Sequence, residues 1–141
     1  MTVNHVGLRV RDLDASKRFY EALGFTEKFS MDVDDAPTDR LLSLDPPLGL
    51  RVVYLTDGPF VLELLTFDEH EGRADERVIT DIGLTHLSIG VDDVEAAKAA
   101  VVDTGGEVVT SSDLGAAVMV RDPDGQMVEL LQTALRPVTP H

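Results

Sequence analysis

The sequence contains no cysteine, few basic residues and no long apolar run. Without cysteine, the chain forms neither disulfides nor thiolate metal sites. The 12 Lys and Arg residues are outnumbered by 26 Asp and Glu residues, which gives a formal net charge of −14. This charge repels nucleic-acid backbones and anionic lipid surfaces, so neither is expected as a partner. No run reaches the ~18 apolar residues of a membrane span, and the first residues lack the pattern of a signal peptide. We therefore expect a cytoplasmic protein.

An internal repeat is the strongest signal that the sequence does contain. The stretch 5–17 recurs 81 residues later as 86–98, and six of the twenty positions from 5 to 24 are identical at this offset. Average composition predicts about one identity in such a window, so a duplication is the better explanation. Each copy begins with a histidine, and each half ends in an apolar strand that carries a glutamate. These residues are His5 and Glu63 in the first half and His86 and Glu129 in the second.

Both halves have the pattern β-α-β-β-β. Alternating apolar residues predict a first strand at 3–10 and its counterpart at 84–91. The helix after each strand has an aspartate N-cap and a glycine beyond its last turn, which are Asp12 and Gly24 in the first half and Asp93 and Gly105 in the second. The prediction is one structural domain made of a first module, a connector, a second module and a loose tail, at residues 1–67, 68–83, 84–135 and 136–141.

The first half is longer than the second by 15 residues between its histidine and its glutamate. The excess falls at about residues 33–49, where three prolines disfavour a regular strand and acidic residues favour solvent. This insertion is interpreted either as a cover over the mouth of a cavity or as a passive surface loop.

The two glutamates lie in apolar strands, and this makes a metal site the leading hypothesis. Taken singly, a strand glutamate usually faces solvent, but an unpaired carboxylate among apolar side chains costs several kcal/mol unless it is protonated, paired or bound to a cation. If the halves pack with pseudo-twofold symmetry, two imidazoles and two carboxylates surround one axis. Such a site suits one divalent ion of Ni, Co, Mn, Fe or Zn. The predicted ligands are His5, Glu63, His86 and Glu129.

The repeated modules and this ligand set resemble the vicinal oxygen chelate superfamily, which includes glyoxalases, epimerases, extradiol dioxygenases, fosfomycin-resistance enzymes and bleomycin-binding proteins. The resemblance covers roughly residues 3 to 132, and the sequence Asp-Pro-Asp-Gly at 122–125 followed by Val128-Glu129-Leu130 is similar to the closing motif of that superfamily. It implies an α+β fold in which the two modules form a curved, cup-shaped mixed sheet.

The order His, Glu, His, Glu is most similar to glyoxalase I, which implies an isomerase or lyase that acts through an enediolate on a small molecule with two neighbouring oxygens. By resemblance, Glu129 is the base that detaches from the metal, and Glu63 is a second catalytic carboxylate on the opposite face. Arg9 matches a position that holds the glutathione carboxylate in glyoxalase I. Phe67 stands where glyoxalase I usually has Asn, so the resemblance does not extend to this part of the glutathione site. A homodimer is also expected.

Two other functions remain open from the sequence. A resistance protein of the bleomycin-binding type would sequester a cationic natural product, which the negative charge favours. Phe67, Met119 and Met127 would then line an apolar cleft, although core packing also explains them. A ring-cleaving dioxygenase is the third hypothesis, although dioxygenases of the superfamily usually have two His and one Glu as metal ligands. Epimerases of the superfamily generally have Gln in place of Glu63.

Overall fold

The computed structural model describes residues 1–133. The described residues form two compact units, which meet in sequence between Arg73 and Ala74. Each unit contains a four-stranded mixed sheet with helical segments, so the chain has the α+β fold expected from its sequence. The division between the units falls inside the predicted connector, and the predicted tail at 136–141 lies outside the described residues.

The first unit contains four strands and two helices. In chain order they are β1 (Val6–Arg9), α1 (Leu13–Ala22), β2 (Thr26–Asp32), α2 (Asp35–Leu42), β3 (Leu50–Asp57) and β4 (Phe60–Phe67). The strands stand in the order β1-β4-β3-β2. β1 is parallel to β4, and the other neighbours are antiparallel.

The second unit repeats this topology without a counterpart of α2. Its elements are β5 (Leu87–Val91), α3 (Val94–Asp103), β6 (Glu107–Val108), a 3₁₀ turn (Thr110–Ser112), β7 (Ala117–Arg121) and β8 (Met127–Gln132). The strand order is β5-β8-β7-β6, with β5 parallel to β8. The two sheets therefore share one topology, as the duplication predicts.

The predicted helix boundaries are confirmed. Asp12 accepts a hydrogen bond from the Ala15 amide at 3.1 Å, and Asp93 accepts the equivalent bond from Ala96 at 3.0 Å. Each carboxylate thus satisfies a free N–H of the first helical turn. Beyond the last turn, Gly24 has φ = 109° and its counterpart after α3 has φ = 87°, a region that favours glycine.

Both helices bury one stripe against their sheet. In the first unit Phe19 and Tyr20 of α1 are fully buried, and in the second unit Val101 of α3 is fully buried. Their sheets meet them with apolar side chains from the two inner strands, which are Val53, Leu55, Leu62 and Leu64 in the first unit and Val118, Val120, Val128 and Leu130 in the second. The other face of each sheet, called here the open face, is opposite the helix.

The first strand of each unit is shorter than predicted. β1 begins at Val6 and β5 at Leu87, because pairing with the neighbouring strand starts only there. His5 and His86 therefore lie directly before their strands rather than inside them.

The insertion contains a helix that was not predicted. Ala36 of α2 has the non-helical angles φ = −95° and ψ = 139°, so regular helix geometry begins at Pro37. Proline is tolerated in a first turn, because its missing N–H would have no helical partner there. The prolines of the insertion thus exclude a strand but not a helix.

The third element of the second unit is a very short strand. β6 ends at Val108, and the Ser112 hydroxyl then donates to the Val109 carbonyl at 2.6 Å. The same hydroxyl accepts from the Met119 amide at 2.9 Å. A side chain thus replaces part of the strand ladder, which local patterning does not reveal.

Candidate metal centre

Glu63 lies on the open face of the first sheet beside His5. Strand alternation buries Leu62 and Leu64 beneath α1, so the carboxylate between them points the other way. Because β1 is parallel to β4 with Gly7 opposite Glu63, the residue just before β1 reaches the same place. His5 Nε2 lies 3.9 Å from Glu63 Oε1, and their side chains are 35% and 15% exposed. The first predicted pair of ligands is thereby brought together.

Tyr54 is a third member of this group and was not predicted from the sequence. It stands opposite Glu63 in the register of β3 and β4, and its phenol donates a hydrogen bond to Glu63 Oε2. Burial raises the pKa of Tyr54 to about 12, and the hydrogen bond to Glu63 and that residue's charge act in the same direction. The phenol is therefore a neutral donor at physiological pH. The tight turn between Asp57 and Phe60 sets this register, so counting back from the turn would have found the pair.

Two aromatic contacts hold the Tyr54 ring in place. The ring of Phe29, on β2, stacks on it with 4.5 Å between centroids and an interplanar angle of 23°. The imidazole of His5 meets it edge-on at 5.5 Å and 75°. Offset stacking and edge-to-face contacts are both favourable for such rings. Tyr54 thus connects the candidate ligands to the outermost strand of the sheet.

Glu129 occupies the equivalent place on the second sheet, but its surroundings differ. It is half-buried on β8, with Ser88 of β5 on one side and Met119 of β7 on the other. The Ser88 hydroxyl donates to Glu129 Oε1 at 2.6 Å. His86 lies two residues before Ser88, as His5 lies two residues before Gly7. Ser88 was not predicted, although it is the aligned partner of Gly7 in the repeat.

Each histidine has its Nδ1 engaged by the residue that precedes it. His5 Nδ1 is 2.6 Å from Asn4 Oδ1, and His86 Nδ1 is 2.8 Å from Thr85 Oγ1. In the neutral tautomer that donates from Nδ1 to the Asn4 oxygen, the lone pair is on Nε2, the ring nitrogen nearer to Glu63. Metal-binding histidines typically use one ring nitrogen in this way and the other as ligand. The donor chemistry thus fits a divalent metal, although no three His, Asp or Glu side chains within residues 1–133 form a ready cluster for one.

Two of the three predicted substrate-binding residues are in contact. The guanidinium carbon of Arg9 lies 5.1 Å from the centre of the Phe67 ring, and Arg9 Nη2 donates to the His70 carbonyl at 2.9 Å. A cation over an aromatic face is attracted by the ring quadrupole. Met119, the third, is half-buried beside Glu129 in the register of its own sheet. The structure therefore gives Arg9 a fixed orientation on the first unit.

Comparison with known proteins identifies the family. The profile of the Glyoxalase/Bleomycin resistance protein/Dioxygenase superfamily matches residues 2–130 of the chain. The chain belongs to this superfamily. The resemblance inferred from the repeat and the closing motif is thereby confirmed.

Individual superfamily members match across almost the whole chain. A lactoylglutathione lyase of Haemophilus influenzae is 28% identical over 149 aligned positions, which cover 94% of this chain and 93% of that protein. The solved glyoxalase I of Leishmania major is 28% identical, with a TM-score of 0.68 and coverage of 95% and 88%. A glyoxalase family protein of Bacillus cereus has a TM-score of 0.81 at 20% identity, with 92% of each chain covered, and this likeness shows the fold.

The insertion of this superfamily member folds against the open face of its first sheet. Leu48, Leu50 and Val52 form a buried cluster there. Five half-buried side chains pack around that cluster, namely Val33, Leu44, Tyr54, Leu65 and Phe67. The Asp35 carboxylate closes the segment by accepting from the Leu48 amide at 3.0 Å. Leu48 of the insertion is thus buried in one cluster with Leu50 and Val52 of β3.

The helices of the described residues are all too short or too polar to cross a membrane. This observation covers residues 1–133 only.

Proposed function

We propose that this superfamily member is a divalent-metal-dependent isomerase or lyase of the glyoxalase I type. Its substrate would be a small molecule with two neighbouring oxygens, converted through an enediolate. The observation that carries the proposal is the pairing of His5 Nε2 with Glu63 Oε1 on the open face, at a position that the second module repeats with His86 and Glu129. The 28% identity to a lactoylglutathione lyase and to a glyoxalase I supports the same activity. A homodimer is part of this proposal.

The proposed ligands are His5, Glu63, His86 and Glu129. His5 would bind through Nε2, because its Nδ1 is engaged by Asn4, and Glu63 would bind through Oε1, because Oε2 accepts from Tyr54. An ion of Ni, Co, Mn, Fe or Zn suits this set of two imidazoles and two carboxylates. When bound, the ion supplies Lewis-acid stabilisation of the negative charge that develops on the substrate oxygens.

In the proposed mechanism Glu129 accepts the proton from the substrate carbon and returns it to the neighbouring carbon. Ser88 donates to this carboxylate and sets its orientation. Glu63 is the candidate for the same role on the opposite face of the substrate. Both carboxylates are half-buried, which favours a base that is not fully hydrated.

Arg9, Phe67 and Met119 are proposed to bind the rest of the substrate. The contact with Phe67 and the bond to the His70 carbonyl hold the Arg9 guanidinium in one orientation, which favours recognition of an anionic group. Met119, beside Glu129, would contact an apolar part of the substrate.

The test is an assay with methylglyoxal and a panel of thiols, using protein reconstituted in turn with nickel, cobalt, manganese, iron and zinc. We expect turnover with at least one combination and none after chelation. Absence of turnover with every metal and thiol, in protein shown by elemental analysis to be loaded, would contradict the glyoxalase activity.

Sequestration of a cationic natural product is the second candidate, because of the net charge of −14 and the exposed Phe29 and Met31 on β2. Elemental analysis separates the two functions. Metal that stays well below one equivalent after reconstitution would favour sequestration, whereas about one equivalent per site supports the enzyme.

A further inference from the structure

The two candidate ligand carboxylates each accept a hydrogen bond from one hydroxyl, but the hydroxyls come from opposite sides. Glu63 has Gly7 on the first strand and Tyr54 on the third. Glu129 has Ser88 on the first strand and Met119 on the third. The hydroxyl donor has thus changed strands between the two modules. Neither Gly7 nor Met119 has a side-chain group able to donate in its place.

In the first module this arrangement separates the two oxygens of Glu63. Oε2 accepts from the Tyr54 phenol, and Oε1 faces His5 Nε2. Gly7, on β1, is the residue beside Oε1, and glycine has no side chain to contact this oxygen. A Cβ at this position would lie 3.5 Å from Oε1, in ordinary van der Waals contact. Glu63 is therefore held in a geometry that offers a single oxygen toward the histidine.

The two donors differ in how far water can replace them. The Tyr54 ring lies between Phe29 and His5 and packs on the buried cluster of Leu48, Leu50 and Val52. The Glu63 side chain is only 15% exposed, so removal of the phenol oxygen would leave Oε2 with restricted access to a replacement water. Ser88 is exposed, so water would take its place at Glu129 Oε1.

We infer that Tyr54 is a positioning residue that holds Glu63 as a single-oxygen metal ligand, and that it has no equivalent in the second module. This inference rests on the proposed function, since Glu63 is there a metal ligand. Hydrogen bonds to ligating side chains typically change metal affinity by about 10–100-fold. The dissociation constant of the metal is therefore the quantity that Tyr54 controls.

The experiment measures metal affinity directly, by titration against a competing chelator, in folded full-length variants. Tyr54→Phe should raise the metal dissociation constant by about 10–100-fold. The control Tyr20→Phe removes the other tyrosine hydroxyl of the chain, in the core beneath the sheet, and should leave it unchanged. Because the chain has two tyrosines and no tryptophan, metal binding should change tyrosine emission in the native protein and not in Tyr54→Phe.

A hydroxyl placed on the other side of Glu63 tests the separate roles of its two oxygens. In the native background, Gly7→Ser puts a hydroxyl beside Oε1, the oxygen that is proposed to bind the metal, and Gly7→Ala adds the same Cβ without a hydroxyl. We expect Gly7→Ser to raise the metal dissociation constant above that of Gly7→Ala, because its hydroxyl competes with the metal for Oε1. Equal dissociation constants for the two variants would show that Oε1 is not the ligating oxygen and would overturn the inference.

The remaining outcomes distinguish the inference from the proposed function. If the native protein binds metal and Tyr54→Phe binds it as tightly as Tyr20→Phe does, the inference is overturned and the proposed function stands. If the native protein binds none of the metals tested, both are overturned.

Discussion

Each of the two modules has one histidine and one glutamate at matching positions, but the surroundings of the glutamates differ. In the first, Glu63 lies between Gly7 and Tyr54, next to an insertion with its own small core. In the second, Glu129 lies beside an exposed serine, and no insertion is present between β6 and β7 beyond a 3₁₀ turn. The repeated positions thus carry the donor atoms, and the neighbouring positions, which do not repeat, determine how tightly each carboxylate is held.

The largest expected effect comes from exchanging each carboxylate for its amide. Glu129→Gln should lower kcat by about 10²–10⁴-fold in metal-saturated protein, because a general base contributes by that amount. Glu63→Gln should act mainly on the metal dissociation constant, since Glu63 is fixed by Tyr54. Steady-state kinetics at saturating metal and metal titration measure the two quantities. If Glu63→Gln lowered kcat more than Glu129→Gln does, Glu63 rather than Glu129 would be the main base.

An intermediate effect is expected from the core of the insertion. Leu48 is fully buried, so Leu48→Ala should lower the free energy of unfolding by about 2–5 kcal/mol. Leu41, on α2 of the same insertion, is 82% exposed, and Leu41→Ala should change stability by less than about 0.5 kcal/mol. Urea unfolding measures both. Equal free energies of unfolding for Leu48→Ala and Leu41→Ala would show that the packing of Leu48 does not stabilise the first module.

The smallest effect concerns a lysine that both modules retain. Lys17 binds Glu27 at 3.1 Å, and its counterpart Lys98 binds Asp113 at 2.6 Å. The hydrogen bond from Lys98 lowers the pKa of Asp113 below 3.8, with a further contribution from the Gly115 amide. A carboxyl whose pKa is lower in the folded state than in the unfolded state stabilises the fold when the pH is above its unfolded-state pKa. This contribution is lost as the pH falls through the folded-state pKa.

Asp113→Asn should therefore lose slightly less stability than the native protein when the pH is lowered below 3.8. Both side chains of the pair are only partly buried, so added salt should reduce the difference. Thermal unfolding as a function of pH measures it. Parallel curves for the two proteins would show that this ion pair contributes nothing.

Periodicity and capping residues predicted the order of helices and strands in each module, whereas the resemblance to the superfamily implied how they form the fold. The helices α1 and α3 follow from Asp12 and Asp93 with their glycine stops, since these are local signals. The placement of Glu63 on the face away from the helix follows from strand alternation in an apolar run. The helix of the insertion was missed because proline excludes strands more strongly than it excludes the first turn of a helix.

The surroundings of the carboxylates depend on cross-strand register, which is why they were harder to predict. Tyr54 is nine residues from Glu63 in sequence and reaches it only because the β3–β4 turn sets their alignment. Ser88 is 41 residues from Glu129 and reaches it through a parallel pairing. The contact of Arg9 with Phe67 and with the His70 carbonyl likewise joins separate segments, and no local pattern reports such contacts.

The small core on the open face ties the insertion to the strand that follows it. Leu50 and Val52 of β3 are buried there in one cluster with Leu48. The two strand side chains form an apolar strip, and the insertion contributes to shielding this strip from water. Trimming the insertion from the present protein would uncover that apolar strip, and a shortened design therefore needs polar replacements at both strand positions.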